Sequence, residues 1–565
     1  MRSAVSADAQ CTEIEPDPID LPETEKLAWF VLQPAGSAYT AAPPKNHRRH
    51  AIMTRHVLSI GLAGLLIPMA ACGDDDSSGN GSDGGTSDGD TSDGSGDGGD
   101  DGTDGTSGDE TDTDDTGTTG EVGSAMIRVV HGSPDAPAVY VYVDCLDEPV
   151  IADLAYGEAS DYLEVDEGDY NFQIRAAGAP ATDDPAFETG DLTLAADAKV
   201  TALAAGLLAS EDDADRFRVL PLSEGFDAPG DGEAIVRIVH AGADAPTVDI
   251  DVGNDGSSEV EGFDRFADTG EPGVPLPSGT ALQIGIVADG NTVTAFTTPE
   301  LPDGAELFVI ATGKLADLPR QASGFSLLAV GPDGAIGLIP QNPTVFAFHA
   351  GSDAPAVDIC AADTPLLENV PFGAIGGVQV PPGTYTLDFH ASPSNGCEGD
   401  PASSQNTPAL EAGQRYLAVA TGELAPEGGD PAFQLAPFAD AFSLDASPQA
   451  ALQIVHAAAA PAVDIGVVEG GQIPEANVLV TDLAWPNASD ELAVDAMTYE
   501  IGVAAAGGTP PLSPIATFDV PAGEGARAFV VAVGDLTTEG DEEGFRLYAI
   551  DSVAFPWTAT EIPAN

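Results

Sequence analysis

A histidine followed four residues later by an aspartate recurs along this chain. It reads HGSPDAP from His131, HAGADAP from His240 and HAGSDAP from His349, then HAAAAP from His456, where the aspartate is gone. An imidazole beside a carboxylate is the raw material of a general base, and histidine is also a common metal ligand. Neither chemistry is complete here. Zinc needs three or four ligands, and each copy offers one histidine with no cysteine partner nearby. Nucleophilic catalysis fares no better: the repeats hold no G-x-S-x-G elbow, and histidines 109, 109 and 107 residues apart belong to different domains. The other histidine of this region, His390, falls on the outward parity of its strand.

Strand parity favours a structural role. In IRVVH, residues Ile127, Val129 and His131 share one face while Arg128 points the other way, and Val236, Ile238 and His240 repeat the pattern against Arg237. In the fourth copy Leu452, Ile454 and His456 stand against Gln453. The imidazole therefore ends a core-facing strand just before a turn. Its nitrogens need partners there, either turn backbone or the aspartate four residues on. Asp135, Asp244 and Asp353 are expected to brace the turn, and Pro137, Pro246, Pro355 and, in the shortened copy, Pro461 to fix φ before the next strand. The motif reads as a corner of the fold with no catalytic role.

The elements that would position this corner recur in step. After each motif comes a second strand (AVYVYVD, TVDIDVG, AVDICAA, AVDIGVV) and then a hairpin segment such as EGDYNFQIRA or PGTYTLDFHA. VTALAAGLL, LFVIATGKL, YLAVATGEL and AFVVAVGDL follow, and FRVLPL, FSLLAV, FQLAPF and FRLYAI close each unit. Five clear strands per unit, with room for two more in the middle, and no sustained helical period predict an all-β chain. The expected architecture is four tandem immunoglobulin-like β-sandwich domains, at 124–228, 229–340, 341–447 and 448–565.

With these landmarks the chain resembles domain-of-unknown-function family 4397, through IRVVHGSPDAPAVYVYVD (Ile127–Asp144) and VRIVHAGADAPTVDIDV above all. The resemblance runs over about residues 125–560. It implies an exported β domain and carries no assigned activity, cofactor or catalytic residue.

The 565 residues include 93 acidic and 18 basic side chains, a net charge of −75. Binding nucleic acid needs Lys/Arg clusters that release counterions, so this balance argues against such a partner. Calcium is the cation such a surface would attract, and Asp249, Asp251 and Asp255, on a strand and its following turn, are the candidate ligands; the alternative is a solvated edge.

From Met53 the sequence MTRHVLSIGLAGLLIPMAAC has a basic start, an apolar run too short to span a bilayer and small residues before Cys72. It resembles a bacterial lipoprotein signal, 53–72, with Cys72 lipidated as the membrane anchor. Residues 1–52 then read as a start-site extension. Residues 73–123 carry 17 acidic and no basic side chains and are expected to be a disordered tether spanning about 40 Å. Of the remaining cysteines, Cys360 and Cys397 are expected to pair, closing a loop worth about 4 kcal/mol, while Cys145 reads as a buried thiol.

These features predict a non-enzymatic protein of the bacterial cell envelope, in the periplasm or on the surface. Its tandem domains would bind or adhere to an unidentified extracellular or envelope ligand. The alternative is an acidic spacer without a discrete ligand. Tyr140, Tyr142 and Trp485 are the aromatic candidates for glycan contact.

Overall fold

The computed structural model describes residues 123–143, 146–426, 430–445, 447–535 and 544–565. Expectations for the signal, Cys72, the tether and Cys145 lie outside the described residues. In the first repeat, short alternating runs bounded by Gly, Pro and Asp give eight strands. They are β1 (Ser124–His131), β2 (Val139–Val143), β3 (Ile151–Leu154), β4 (Leu163–Asp166), β5 (Gly168–Ala176), β6 (Phe187–Leu194), β7 (Lys199–Ala205) and β8 (Arg218–Ser223). One sheet has the order β4-β1-β7-β8 and the other β3-β2-β5-β6. Among the described strands of this repeat, β1 and β7 pair in parallel, with Val129 opposite Ala202. Ile127, Val129, Val141, Phe172 and Ile174 fill the space between the sheets.

The other repeats keep this plan. The counterparts of β1 are Glu233–His240, Thr344–His349 and Ala450–His456. Repeats 2 and 4 each add a ninth strand, Gly334–Pro340 and Thr558–Ile562, at the edge of the histidine-bearing sheet. The fold is thus all-β and built of two-sheet sandwiches, with eight or nine strands per repeat where seven were expected. The sequence pattern fell short because β3 and β4 are only four residues long and partly exposed, leaving little apolar periodicity to read.

Parity along β1 is as expected, but the opposite face is not solvent. Val130, Leu203, Ala205 and Leu222 of repeat 1 pack on Val239, Ala241, Phe308, Ile310, Leu328 and Val330 of repeat 2 as one buried cluster. A second such cluster joins repeats 3 and 4 through Phe348, Leu417 and Val419 against Val455, Phe529, Val531 and Ile550. The histidine-bearing sheets therefore meet in pairs, back to back.

Polar contacts fix the register of the first pair. Arg128, 2% exposed, donates from Nη1 to the Gly331 carbonyl of repeat 2 at 2.5 Å, and from Nε to Thr201 Oγ1 at 2.8 Å. Its carboxylate partner is Glu224, 3.5 Å away, which Lys199 also meets at 3.0 Å. Arg237, the same position one repeat later, donates to the Ser223 carbonyl of repeat 1 at 2.5 Å and pairs with Asp268 at 2.7 Å. Each arginine thus reaches the end of the other repeat's last common strand, which is the reciprocity of a two-fold interface.

Removing Arg128 strands Glu224 in a buried site, though Lys199 still holds one oxygen. We expect Arg128→Ala to cost about 3 kcal/mol. Hydrogen exchange should accelerate at the back faces of repeats 1 and 2 and stay unchanged in repeats 3 and 4. A uniform acceleration across all four repeats would contradict the pairwise organisation.

Candidate functional site

The repeated histidine is the last residue of its strand and is almost fully buried, 1–2% exposed in all four copies. Its Nε2 lies 3.0 Å from the Pro137 carbonyl, and the same contact recurs at Pro246 (2.9 Å), Pro355 (3.0 Å) and Pro461 (3.1 Å). A carbonyl only accepts, so Nε2 carries the hydrogen, and in the neutral ring Nδ1 is then an acceptor. The Ser133 and Gly351 amides donate to Nδ1 in repeats 1 and 3, at 3.4 and 3.2 Å. In repeats 2 and 4 Nδ1 is buried without a partner. Burial lowers the pKa of all four imidazoles, and the proline carbonyl only partly offsets it.

The aspartate does not serve the histidine, in contrast to one of the two partners expected for the ring. Asp135 reaches across the domain and accepts from the consecutive amides of Leu208 and Ala209, at 2.8 and 2.9 Å. Asp244 does the same for Leu315 and Ala316, and Asp353 for Leu424 and Ala425. The turn it braces is therefore the one after β7 or its counterpart, about 70 residues away in sequence. Repeat 4 has no carboxylate there; its Ala459 amide donates to the Gly534 carbonyl at 2.9 Å, as the Ala243 amide does to Gly313 in repeat 2. Repeat 1 also places a serine within the motif, but Ser133 Oγ donates to the Gly206 carbonyl at 2.7 Å and is fully buried. The set His131, Ser133 and Asp135 is not aligned for acyl transfer.

The acidic residues after the motif are likewise committed to backbone. Asp249, Asp358 and Asp464 accept from the amides of Gly262, Asn369 and Asp482, at 2.7, 2.7 and 2.8 Å. Those three residues have φ of 62°, 53° and 53°, at a bulge in the counterpart of β3, where Gly, Asn and Asp are tolerated. Asp358 also accepts from Ser394. Its carboxyl falls to about 2: burial opposes the shift, and the amide and hydroxyl donors outweigh it. Asp251 is fully buried and accepts from Asp255 and Gly256. The calcium candidates Asp249, Asp251 and Asp255 thus serve separate loop contacts, and no metal-binding group of three or more such side chains occurs among the described residues.

Other expected positions are also covered. Cys360 and Cys397 form a disulfide with Cα atoms 6.1 Å apart, but Cys360 is fully buried beneath the Cys397 loop despite its outward parity. His390 is 5% exposed. Tyr142 is buried, donating to the Ala179 carbonyl beneath the Arg175 guanidinium. Trp485 donates to Thr421 Oγ1 at 3.2 Å across the boundary between repeats 3 and 4, so it belongs to the pairing interface. Free space inside the sandwiches of repeats 2 and 4 is about 50 and 40 Å³, walled by apolar side chains and the histidine ring. A benzene-sized site takes about 150 Å³, so neither space accepts an organic ligand.

The residues missed by the sequence reading are those of the interface: Arg128, Arg237, Thr312 and Thr421. Thr312 Oγ1 donates to the Gly132 carbonyl of repeat 1 and Thr421 Oγ1 to the Ala457 carbonyl of repeat 4, at 2.7 and 2.6 Å. A signal existed. VTALAAG is apolar almost throughout where a half-exposed strand would alternate, the mark of burial on both faces.

The model of a family described as a domain of unknown function (DUF4397) matches residues 125–251 and 343–466, consistent with tandem repeats of that domain. None of the curated proteins compared with the chain matches it. Among solved structures, the Bacillus anthracis TIE protein is 10% identical, with a TM-score of 0.12, covering 73% of this chain and 68% of its own. A product complex of the multi-modular glycogen-degrading pneumococcal virulence factor SpuA is 11% identical, also with a TM-score of 0.12, covering 68% of this chain and 37% of its own.

The buried imidazoles make stability depend on pH. Unfolded histidine titrates near 6.5 and the folded ring below that, so the unfolded chain takes up protons first and stability is lost as pH falls through 6.5. We expect His131→Gln to cost most at pH 7.5 and progressively less towards pH 5, by up to about 1.4 kcal/mol per pH unit. Denaturation curves whose separation is the same at both pH values would refute a neutral ring in the fold.

Proposed function

We propose, for a chain built of tandem DUF4397 repeats, a non-catalytic binding or adhesion protein of the bacterial cell envelope, held to the membrane by lipid on Cys72. The observation that carries this reading is the commitment of the repeated polar residues: every motif imidazole is on a proline carbonyl and every motif aspartate on backbone amides. The motif leaves no free acid, base or nucleophile for chemistry. Recognition then falls to the loops, which a rigid scaffold can vary without touching its core. The charge of −75 supports a partner other than nucleic acid.

An acidic spacer without a discrete ligand is the second reading. Back-to-back pairing favours it, since the sheets that might have offered a broad binding face are spent on each other.

Two measurements test the proposal. Metabolic labelling with palmitate should mark the protein and be lost in Cys72→Ser; labelling that persists would remove the anchor. The full-length chain on beads, challenged with glycans, matrix proteins and whole cells, with and without calcium, should retain one ligand class saturably. Retention of none would leave the spacer in its place.

A further inference from the structure

Where repeats 2, 3 and 4 meet, two arginines surround one buried aspartate. Arg320 of repeat 2 contacts Asp440 Oδ1 at 3.4 Å and donates to the Phe442 carbonyl at 2.5 Å, both in repeat 3, while its Nε is buried without a partner. Arg415, on the strand Arg415–Thr421, is less satisfied still. Its Nε is buried and unpartnered, and its guanidinium has no hydrogen bond or ion pair with the described residues. Over it lies Phe555 of repeat 4, 57% exposed, with the Arg415 Cζ 4.9 Å from the ring centre. Burial lowers the Arg415 pKa, an effect Asp440 opposes and Arg320 reinforces.

A guanidinium without an ion pair is out of place in a chain with 93 acidic side chains. Two arginines and one aspartate leave a single positive charge, which a monoanion neutralises. A carboxylate matches the planar fork of a guanidinium, whereas a phosphate dianion would bring excess charge beside Asp440. The exposed Phe555 ring supplies an apolar wall next to that charge.

We propose that Arg415, Arg320 and Phe555 form a binding site for a carboxylate carrying an apolar or aromatic flank, either a free aromatic acid or the carboxyl-terminal residue of a peptide. The site goes beyond the envelope reading and does not depend on it.

The test is calorimetric titration of the full-length chain with phenylacetate, N-acetylphenylalanine, N-acetylphenylalanine amide and inorganic phosphate. One saturable site should appear for phenylacetate or N-acetylphenylalanine, with the amide and phosphate at least about tenfold weaker, a difference of about 1.4 kcal/mol. Tighter phenylacetate identifies a free acid as the source, and tighter N-acetylphenylalanine a peptide terminus. Arg415→Gln should weaken the carboxylate about tenfold or more, and Arg216→Gln, at an exposed arginine, should leave it unchanged. Phe555→Ala, at an exposed ring, keeps the test open if Arg415→Gln does not fold; it should weaken phenylacetate at least about threefold. The proposal is overturned if neither carboxylate saturates below about 10 mM, if phosphate or the amide binds as tightly, or if Phe555→Ala binds like the parent chain.

Discussion

The histidine-bearing sheet of each repeat has both faces buried, and most of the architecture follows from that constraint. Its strands serve two cores at once: Ile127 and Val129 inside the sandwich, Arg128 and Val130 against the next repeat. A lone sandwich with this sequence would expose Val130, Leu203, Ala205 and Leu222 as one apolar patch, the kind of surface that folded proteins cover. The repeats cannot be independent beads. The corner motif fits the same constraint, because a histidine at the end of a doubly buried strand needs an acceptor within its own turn. The proline carbonyl six residues on, or five in the shortened fourth copy, provides it.

Pairing gives the chain a larger period than its motif. Repeat 1 has eight strands and repeat 2 nine, and repeats 3 and 4 show the same alternation. Thr312 of repeat 2 caps the Gly132 carbonyl of repeat 1, as Thr421 of repeat 3 caps Ala457 of repeat 4. Tyr156 and Trp485, at matching places in repeats 1 and 4, each donate to that threonine. The inner repeats supply the threonine and the outer ones receive it. The repeats thus associate as two pairs, and the threonine comes from the second repeat of the first pair and from the first repeat of the second.

Much of this was legible in IRVVHGSPDAP and its copies. Period-2 alternation gave the all-β class, and the parity of Ile127, Val129 and His131 placed the imidazole inward. What failed depended on contacts distant in sequence other than the Cys360–Cys397 disulfide. The aspartate sits four residues from the histidine, yet its carboxylate goes to amides more than 70 residues away, and spacing alone points to the nearer partner. Asp249 reads from the sequence as a calcium ligand or a solvated edge residue because the pattern does not reveal the positive-φ bulge residue whose amide it accepts. Parity places Arg128 only on the face away from the sandwich core. The Gly331 carbonyl of the partner repeat, with Thr201 and Glu224 of its own, explains a guanidinium buried in the middle of a strand.

The contents of the two interfaces also explain why repeat 1 closes on repeat 2 and not on repeats 3 or 4. In the first module the third residue before each histidine is arginine, and both guanidinium groups flank the single Phe308 ring, at 5.9 and 5.7 Å. In the second module the same positions are Phe346 and Gln453. Phe346 stacks on Trp557 at 4.3 Å, while Gln453 donates to the Ser489 carbonyl of its own repeat. Exchanging partners would take Arg128 from the Gly331 carbonyl and Arg237 from the Ser223 carbonyl. A buried charge that loses its partner costs several kcal/mol, far more than is gained by matching one apolar surface to another. Apolar burial makes the sheets seek each other, and the two arginines decide which sheets meet.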